Sequence, residues 1–497
     1  MQERDFRVAV GRLVGFGSIL TFVTFQYITI RGRNSLGFYD LLIQSCSCIL
    51  LFNFLVIISR WIEYEPIPGT KDNDKLPTLS IIIPAYNESA FVRNSIGSVL
   101  SSDYPRHKIE VIVVDDGSKD DTWSHIQSAA QQAHEAKPPL RCIPILHEVN
   151  RGKRQAMVTA FTTAKNEILV TLDSDTLLDR QALRNLVSPF VVDSGIGGVT
   201  GHLSVFNVKS DGWSSFVPRT LDCLFEQNGN IPRAAQSKYG FVTILPGAIS
   251  AFRRLAAVPH TSSLVEAKFL GHPLRHGEDV QLTMHMLRDG WRLRYQSNAV
   301  VYTVAPETFR KAFLMYVRWE RSNYTYWMLG LVKIAFMEAV RMVTHRNVTE
   351  FEMAVDQEKQ DGSATRNARQ PDFHPILGIV CTGFSNFSCM AAIFTLARGA
   401  YTNPWVSLMN VGCLVVFATW SSTLLLADAI VQDYGDMAGL EVKDTTQESP
   451  ESQKRRYPRL RKKMQYSCFS TVANFLFVSW ASMFGLFTLR SQSWLTR

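Results

Sequence analysis

The residues best suited to chemistry are carboxylates that close runs of apolar residues. In Glu167-Ile168-Leu169-Val170-Thr171-Leu172-Asp173-Ser174-Asp175-Thr176, an apolar and β-branched run leads straight into two carboxylates one residue apart. Such a run reads as a buried parallel strand whose C-terminal end opens into a site. Period-2 geometry sends Asp173 and Asp175 one way and Ser174 the other. Two convergent carboxylates at a sheet's C-terminal edge suit a hard divalent ion, Mn²⁺ or Mg²⁺, that also holds phosphates. Taken alone, the pair reads equally as an acidic loop after a strand.

Other segments repeat the arrangement. Leu79-Ser80-Ile81-Ile82-Ile83-Pro84 leads into Ala85-Tyr86-Asn87-Glu88, and Ile109–Val114 ends in Asp115-Asp116-Gly117-Ser118. A weaker strand near Ile143 to Leu146 precedes Asn150-Arg151-Gly152-Lys153-Arg154. Helical patterns separate these runs: one starts near Ser89 and carries Ile96, Val99 and Leu100 on one face, and another extends through Ala160. Alternating strands and helices predict a mostly parallel α/β sheet, with polar residues where each strand ends. In such sheets those ends together form a nucleotide site.

The chain is 497 residues long, enough for a large catalytic domain and a membrane region. Five apolar runs approach the roughly 20 residues that cross a bilayer: Leu13–Ile30, Leu41–Ile58, Ile376–Ala397, Trp405–Ala427 and Ser467–Leu489. The expected organisation is two N-terminal spans (1–62), a linker (63–77) and a cytoplasmic catalytic domain (78–308). Amphipathic interfacial helices (309–349), a polar linker (350–374) and two further spans (375–430) follow. A polar, then basic, linker (431–465) leads to a last apolar helix and tail (466–497). Leu13–Ile30 has no clean cleavage site and a second span follows almost at once, which argues against a signal peptide.

The net charge of +8 reflects largely Lys454-Arg455-Arg456-Tyr457-Pro458-Arg459-Leu460-Arg461-Lys462-Lys463. A basic cluster beside an apolar run points to membrane lipid as a partner, not to nucleic acid. The eight cysteines show no C-x-x-C spacing and read as small buried hydrophobes. Nothing in the sequence sets the oligomeric state.

The motifs Ile81 to Glu88, Val113 to Ser118, Gly152-Lys153-Arg154, Asp173-Ser174-Asp175, His276-Gly277-Glu278-Asp279 and Arg318-Trp319 occur in the order seen in processive family 2 glycosyltransferases. The chain resembles hyaluronan, chitin and cellulose synthases, above all the hyaluronan-synthase group through Ala235 to Arg253 and Gly277 to Leu287. The resemblance covers about residues 78 to 330 and implies a GT-A-like domain embedded in an α-helical multi-span membrane protein. It further implies inverting transfer from a UDP-sugar to a growing polysaccharide at the plasma membrane.

On this resemblance Asp279 is the catalytic base, with Glu278 beside it. Asp175 ligates the metal, while Asp173 shares the ion or holds the ribose. Asp115 or Asp116 meets the uracil, and Lys153 supplies a point charge near the nucleotide. Tyr86 and Glu88 belong to the donor side, and Gly247 gives the sugar close backbone access. Arg318 forks onto the diphosphate and Trp319 stacks the acceptor sugar. Met315 stands where the family has glutamine. The terminal Trp494-Leu495-Thr496-Arg497 resembles a gating W-G-T-R segment at the nucleotide. With five full spans that tail lies on the wrong side, so the last apolar run reads as re-entrant or interfacial.

Two rivals remain at this stage. One is a single transfer to a membrane lipid, and the other is a catalytically silent membrane scaffold. Glu278-Asp279 also fits the acidic first turn that any helix favours.

Overall fold

The computed structural model describes residues 3–31, 38–207, 215–344, 401, 403–438, 466–467, 469–470, 473 and 477–489. The predicted span Ile376–Ala397, the polar linker 350–374, much of the linker 431–465 and the tail residues Trp494 and Arg497 lie outside the described residues.

Two helices come first, α1 (Glu3–Arg31) and α2 (Phe38–Ile62). The catalytic part then runs β1 (Leu79–Ala85), α3 (Phe91–Leu100), β2 (Ile109–Asp115), α4 (Thr122–Glu135), β3 (Arg141–Leu146) and α5 (Lys153–Thr163). It continues with β4 (Ile168–Leu172), β5 (Thr176–Leu178), α6 (Ala182–Val192), β6 (Ile196–Val205) and α7 (Phe216–Phe225). A π-helical turn, Glu226–Asn230, joins α7 to α8 (Ile231–Ser237). Then come β7 (Ile249–Arg253), α9 (Arg254–Ala257), α10 (Thr261–Glu266), β8 (Lys268–Phe269), β9 (His272–Pro273), α11 (Glu278–Arg288) and β10 (Arg292–Thr303). The long α12 (Phe309–Thr344), α13 (Pro404–Ala438) and α14 (Ser479–Phe487) close the described chain. Within the stretch 309–349, expected to hold interfacial helices, the described residues Phe309–Thr344 form one helix.

Eight strands form one sheet in the order β3-β2-β1-β4-β7-β6-β10-β5. The β3-β2-β1-β4 half is parallel, and β7 enters antiparallel to both β4 and β6. Register pairs Ala85 with Asp115 and Asp115 with Leu146, so these strands end on one edge. The central strands are apolar and covered on both faces, as helix-flanked parallel strands must be.

Alternate residues feed two cores. Ile81, Ile83, Val111, Val113 and Val170 meet Val92 and Ile96 of α3, Ile126 of α4 and Leu186 of α6. Ile82, Ile112, Val114 and Leu169 face Met157 and Phe161 of α5 and Met286 of α11. The second core also takes in Val14 of α1, Ile58 and Trp61 of α2, and Leu424 and Leu425 of α13.

Among the described residues, two helical stretches are long and apolar enough to cross a membrane, Arg4–Arg31 and Pro404–Ile430; Ser47–Ile62 is apolar but shorter. They pack closely: a Cβ on Gly17 of α1 would sit within 2.2 Å of Trp420 of α13. Their outer faces carry exposed Leu13, Phe16, Leu20, Trp405, Leu408 and Val415.

The expected linker 63–77 is irregular but pinned. Tyr64 Oη donates to Tyr295 O at 3.1 Å, and Ile67 N donates to Gln296 Oε1 at 3.0 Å.

Candidate active site

The C-terminal edge of the sheet opens into a cavity of about 1560 Å³. Its walls include Tyr86, Asp116, Lys153, Asp173, Asp175, Gly247, Glu278, Asp279, Met315, Arg318 and Trp319. Asp115 and Glu88 do not line it.

β4 stops at Leu172, one residue earlier than a strand carrying Asp173 requires. Asp173-Ser174-Asp175 is a turn, closed by Thr176 N donating to Asp173 O at 3.0 Å. The turn still separates the side chains as expected: both carboxylates reach the cavity, while Ser174 is buried and its carbonyl accepts from Ser95 Oγ at 2.7 Å.

α5 starts at Lys153 behind Gly152, which has φ +91°. Lys153 Nζ lies 2.5 Å from Asp173 Oδ1 and 3.7 Å from Glu278 Oε1. Burial disfavours its charge, but Asp173 and Glu278 outweigh that and hold its pKa above the ordinary lysine value. Gly247 faces this ammonium, since a Cβ there would lie 2.9 Å from Lys153 Nζ. The glycine thus makes room for a lysine as well as for a ligand.

α11 begins with Glu278 and Asp279 in its first turn, behind Gly277 at φ +77°. Asp279 Oδ1 accepts from Val280 N at 2.8 Å. Burial, and then the neighbouring Glu278 charge, push the Asp279 carboxyl up to about 6. A carboxylate poised near neutrality is what proton abstraction from a hydroxyl requires.

The two aspartates ending β2 divide their work. Asp116 Oδ1 accepts from Arg151 N at 3.0 Å and sits 2.9 Å from His147 Nδ1, and its Oδ2 accepts from Gly152 N at 2.7 Å. It therefore clamps the loop that launches Lys153. Asp115 is buried; its Oδ1 accepts from Ser118 N at 2.9 Å and its Oδ2 lacks a hydrogen-bond partner. Glu88 sits in the loop after β1, its N–H donating to Thr122 Oγ1 at 2.9 Å.

Trp319 is 36% exposed and packs against Phe225 and Tyr316, with ring centroids 5.8 and 5.3 Å away. Behind it, α14 lies on α12: Arg321 Nε donates to Thr488 Oγ1 at 3.0 Å, and Ser482 Oγ to Glu320 Oε2 at 3.1 Å.

Residues 77–322 match the family described as Glycosyltransferase like family 2. The chain carries a family 2 glycosyltransferase domain.

An N-acetylglucosaminyltransferase of Azorhizobium caulinodans is 32% identical over 249 residues, covering 50% of this chain and 60% of that one. A hyaluronan synthase of Streptococcus pyogenes is 28% identical over 347 residues, covering 69% of this chain and 78% of the relative. Among solved structures, a mannosyltransferase of Pyrobaculum calidifontis in complex with GDP-Man and Mn²⁺ superposes with a TM-score of 0.52. It is 22% identical and covers 82% of this chain and 98% of its own. That likeness shows the GT-A-like α/β fold of the glycosyltransferase domain.

The oxygens present fit a divalent ion of the open kind. Among the described residues no group of three His, Cys, Asp or Glu could form a closed protein cage. The glycosyltransferase domain instead offers the Asp173 and Asp175 carboxylates on the cavity wall. Hard oxygens in small number suit Mg²⁺ or Mn²⁺ completed by phosphates and water.

Sequence reasoning missed the partner of Lys153. Arg154 turns away from the cavity, because successive helix residues point about 100° apart, and it is almost wholly buried. It also missed the π-helical turn whose Gln227, Asn228 and Gly229 line the cavity. Its signal was only an asparagine- and glycine-rich break in an apolar helix.

Proposed function

We propose that this chain is a membrane-embedded inverting glycosyltransferase that extends a polysaccharide from a UDP-sugar and passes the polymer outward. The observation that carries the reading is the extent of the cavity. From Lys153, Asp175 and Asp279 it continues past Trp319 to Asn53, Phe54 and Ile57 of α2 and to Val411, Leu414 and Phe417 of α13. A site for one sugar needs no such extension between apolar helices; a path for a chain does.

In this reading Asp279 takes the proton of the acceptor hydroxyl as that oxygen attacks the anomeric carbon in line. One displacement inverts the configuration, giving a β-link from an α-linked donor. A divalent ion held at Asp175, with Asp173, would stabilise the departing diphosphate. Lys153 and Arg318 add positive charge on the same side, and Trp319 offers the acceptor a flat apolar face. Asp116 serves the nucleotide through the loop it clamps. The exposed apolar faces of α1 and α13 support burial in lipid; in this reading the catalytic domain lies on the cytoplasmic side. The packing of α14 on α12 supports a last apolar segment that stays on the catalytic side.

The test is UDP release by purified protein with Mn²⁺ or Mg²⁺ across UDP-N-acetylglucosamine, UDP-glucose and UDP-glucuronic acid, with product sizing. A high-molecular-weight product, lost in Asp279→Asn with folding intact, is expected. A small lipid-linked product alone overturns the polymerase reading, and unchanged transfer in the variant overturns the base.

A further inference from the structure

Arg154 is a buried cation flanking the site that donates to four acceptors, and the proposed reaction gives it no role. Its Nη1 donates to Gln281 Oε1 at 2.6 Å and to Leu264 O at 3.0 Å. Its Nη2 donates to Tyr326 Oη at 2.8 Å and also to the carbonyl of His276. Tyr326 Oη in turn donates to Gln281 Oε1 at 2.8 Å, closing a triangle.

These partners tie together three of the elements that carry proposed site groups, α5, α11 and α12. Arg154 follows Lys153 on α5. His276 precedes the Gly277-Glu278-Asp279 turn, and Gln281 lies in that turn's helix, α11. Tyr326 belongs to α12, two helical turns beyond Arg318 and Trp319. Gly277 is wedged against α12, where a Cβ would approach Tyr326 Cε2 to 2.8 Å and Ser322 Cβ to 3.0 Å. A planar guanidinium with five donors in a fixed fork can hold four acceptors at once, whereas an ammonium is a point charge on a flexible stem.

We propose that Arg154 is a positioning residue that sets where Asp279 stands relative to Lys153 and Trp319. Through His276 O and Gln281 it fixes the first turn of α11; through Tyr326 it docks that turn on α12. Without the fork the Asp279 carboxylate loses its place beside the acceptor hydroxyl. The donor pocket, built by Lys153, Asp173 and the Asp116-clamped loop, keeps its own contacts. This inference rests on the proposed role of Asp279.

The experiment follows two fates of UDP-N-acetylglucosamine in the purified full chain: sugar transferred to product, and sugar released by water. Arg154→Lys keeps the charge and removes the fork, while Tyr326→Phe removes one hydroxyl. Transfer is expected to fall at least tenfold in Arg154→Lys and two- to fivefold in Tyr326→Phe, with hydrolysis and the donor KM within twofold of the parent. A merely structural role lowers both fates by one factor, because it only reduces the folded fraction. Equal loss of both, or loss of neither, overturns the proposal. Asp279→Asn in the same assay separates the two claims: if it still transfers sugar, the base assignment fails whatever Arg154→Lys does.

Discussion

Glu278 sits beside the proposed base, so its charge should be readable in the pH profile. With the Asp279 carboxyl at about 6, activity that needs the ionised form rises with pH through that value. At pH 5 only about 9% of such a group is ionised. Glu278→Gln removes the nearest like charge. It also takes away the carboxylate 3.7 Å from Lys153 Nζ, leaving that ammonium less neutralised. Both changes favour the Asp279 carboxylate, so its pKa must fall. A drop of about one unit, worth about 1.4 kcal/mol, raises the ionised fraction at pH 5 to about 50%. The assay is kcat/KM for UDP-sugar turnover from pH 4.5 to 8, which reports groups of the free enzyme. The acid limb of the variant is expected to lie lower, with about a fivefold gain at pH 5 relative to its own plateau. An unmoved limb, or one moved upward, refutes the electrostatic account and with it Asp279 as the group that titrates.

Two further perturbations test how the donor side is built. Gly247→Ala places a methyl group 2.9 Å from Lys153 Nζ; the lysine must shift off Asp173, and the donor KM is expected to rise about threefold or more in steady-state kinetics. Asp116→Asn replaces one of the two accepting oxygens with an amide donor, which then faces the N–H of either Arg151 or Gly152. That mismatch should cost about 1–3 kcal/mol, read as a lowered Tm, together with a raised donor KM.

The parallel half of the sheet was legible because its strands are mostly apolar, with single polar residues such as Ser80, Glu110 and Thr171, and each ends in a polar motif. β1, β2 and β4 lie within a residue or two of their predicted bounds, and β3 begins two residues before the apolar run, at Arg141. β6, β7 and β10 were not. β6 is broken by Gly197, Gly198 and Gly201, and β10 alternates arginines with apolar residues, so neither presents a clean run. Among the site residues, adjacency misled. Asp115 and Asp116 read as a pair, yet one is sealed in the fold and the other holds a loop. Lys153 and Arg154 read as one basic motif, yet one faces the cavity and the other the interior. Sequence spacing tells which residues can share a strand end, but hydrogen-bond partners distant in the chain decide which of them remain available.

The second core has a practical consequence. It joins Val14, Ile58, Trp61 and Leu425 to Ile112, Leu169 and Phe252 without a seam, and Arg7 of α1 reaches across to the carbonyls of Trp61 and Tyr64. The stretch after α2 is thus a linker by composition and not a place where the protein can be cut. A fragment starting near residue 78 would bare the back of its own sheet to water, and α1, α2 and α13 would lose the surface that orders them. The catalytic part and the apolar helices α1, α2 and α13 are halves of one folding unit, so activity should be sought in the intact chain, with detergent or lipid to cover its apolar faces, and not in a trimmed piece.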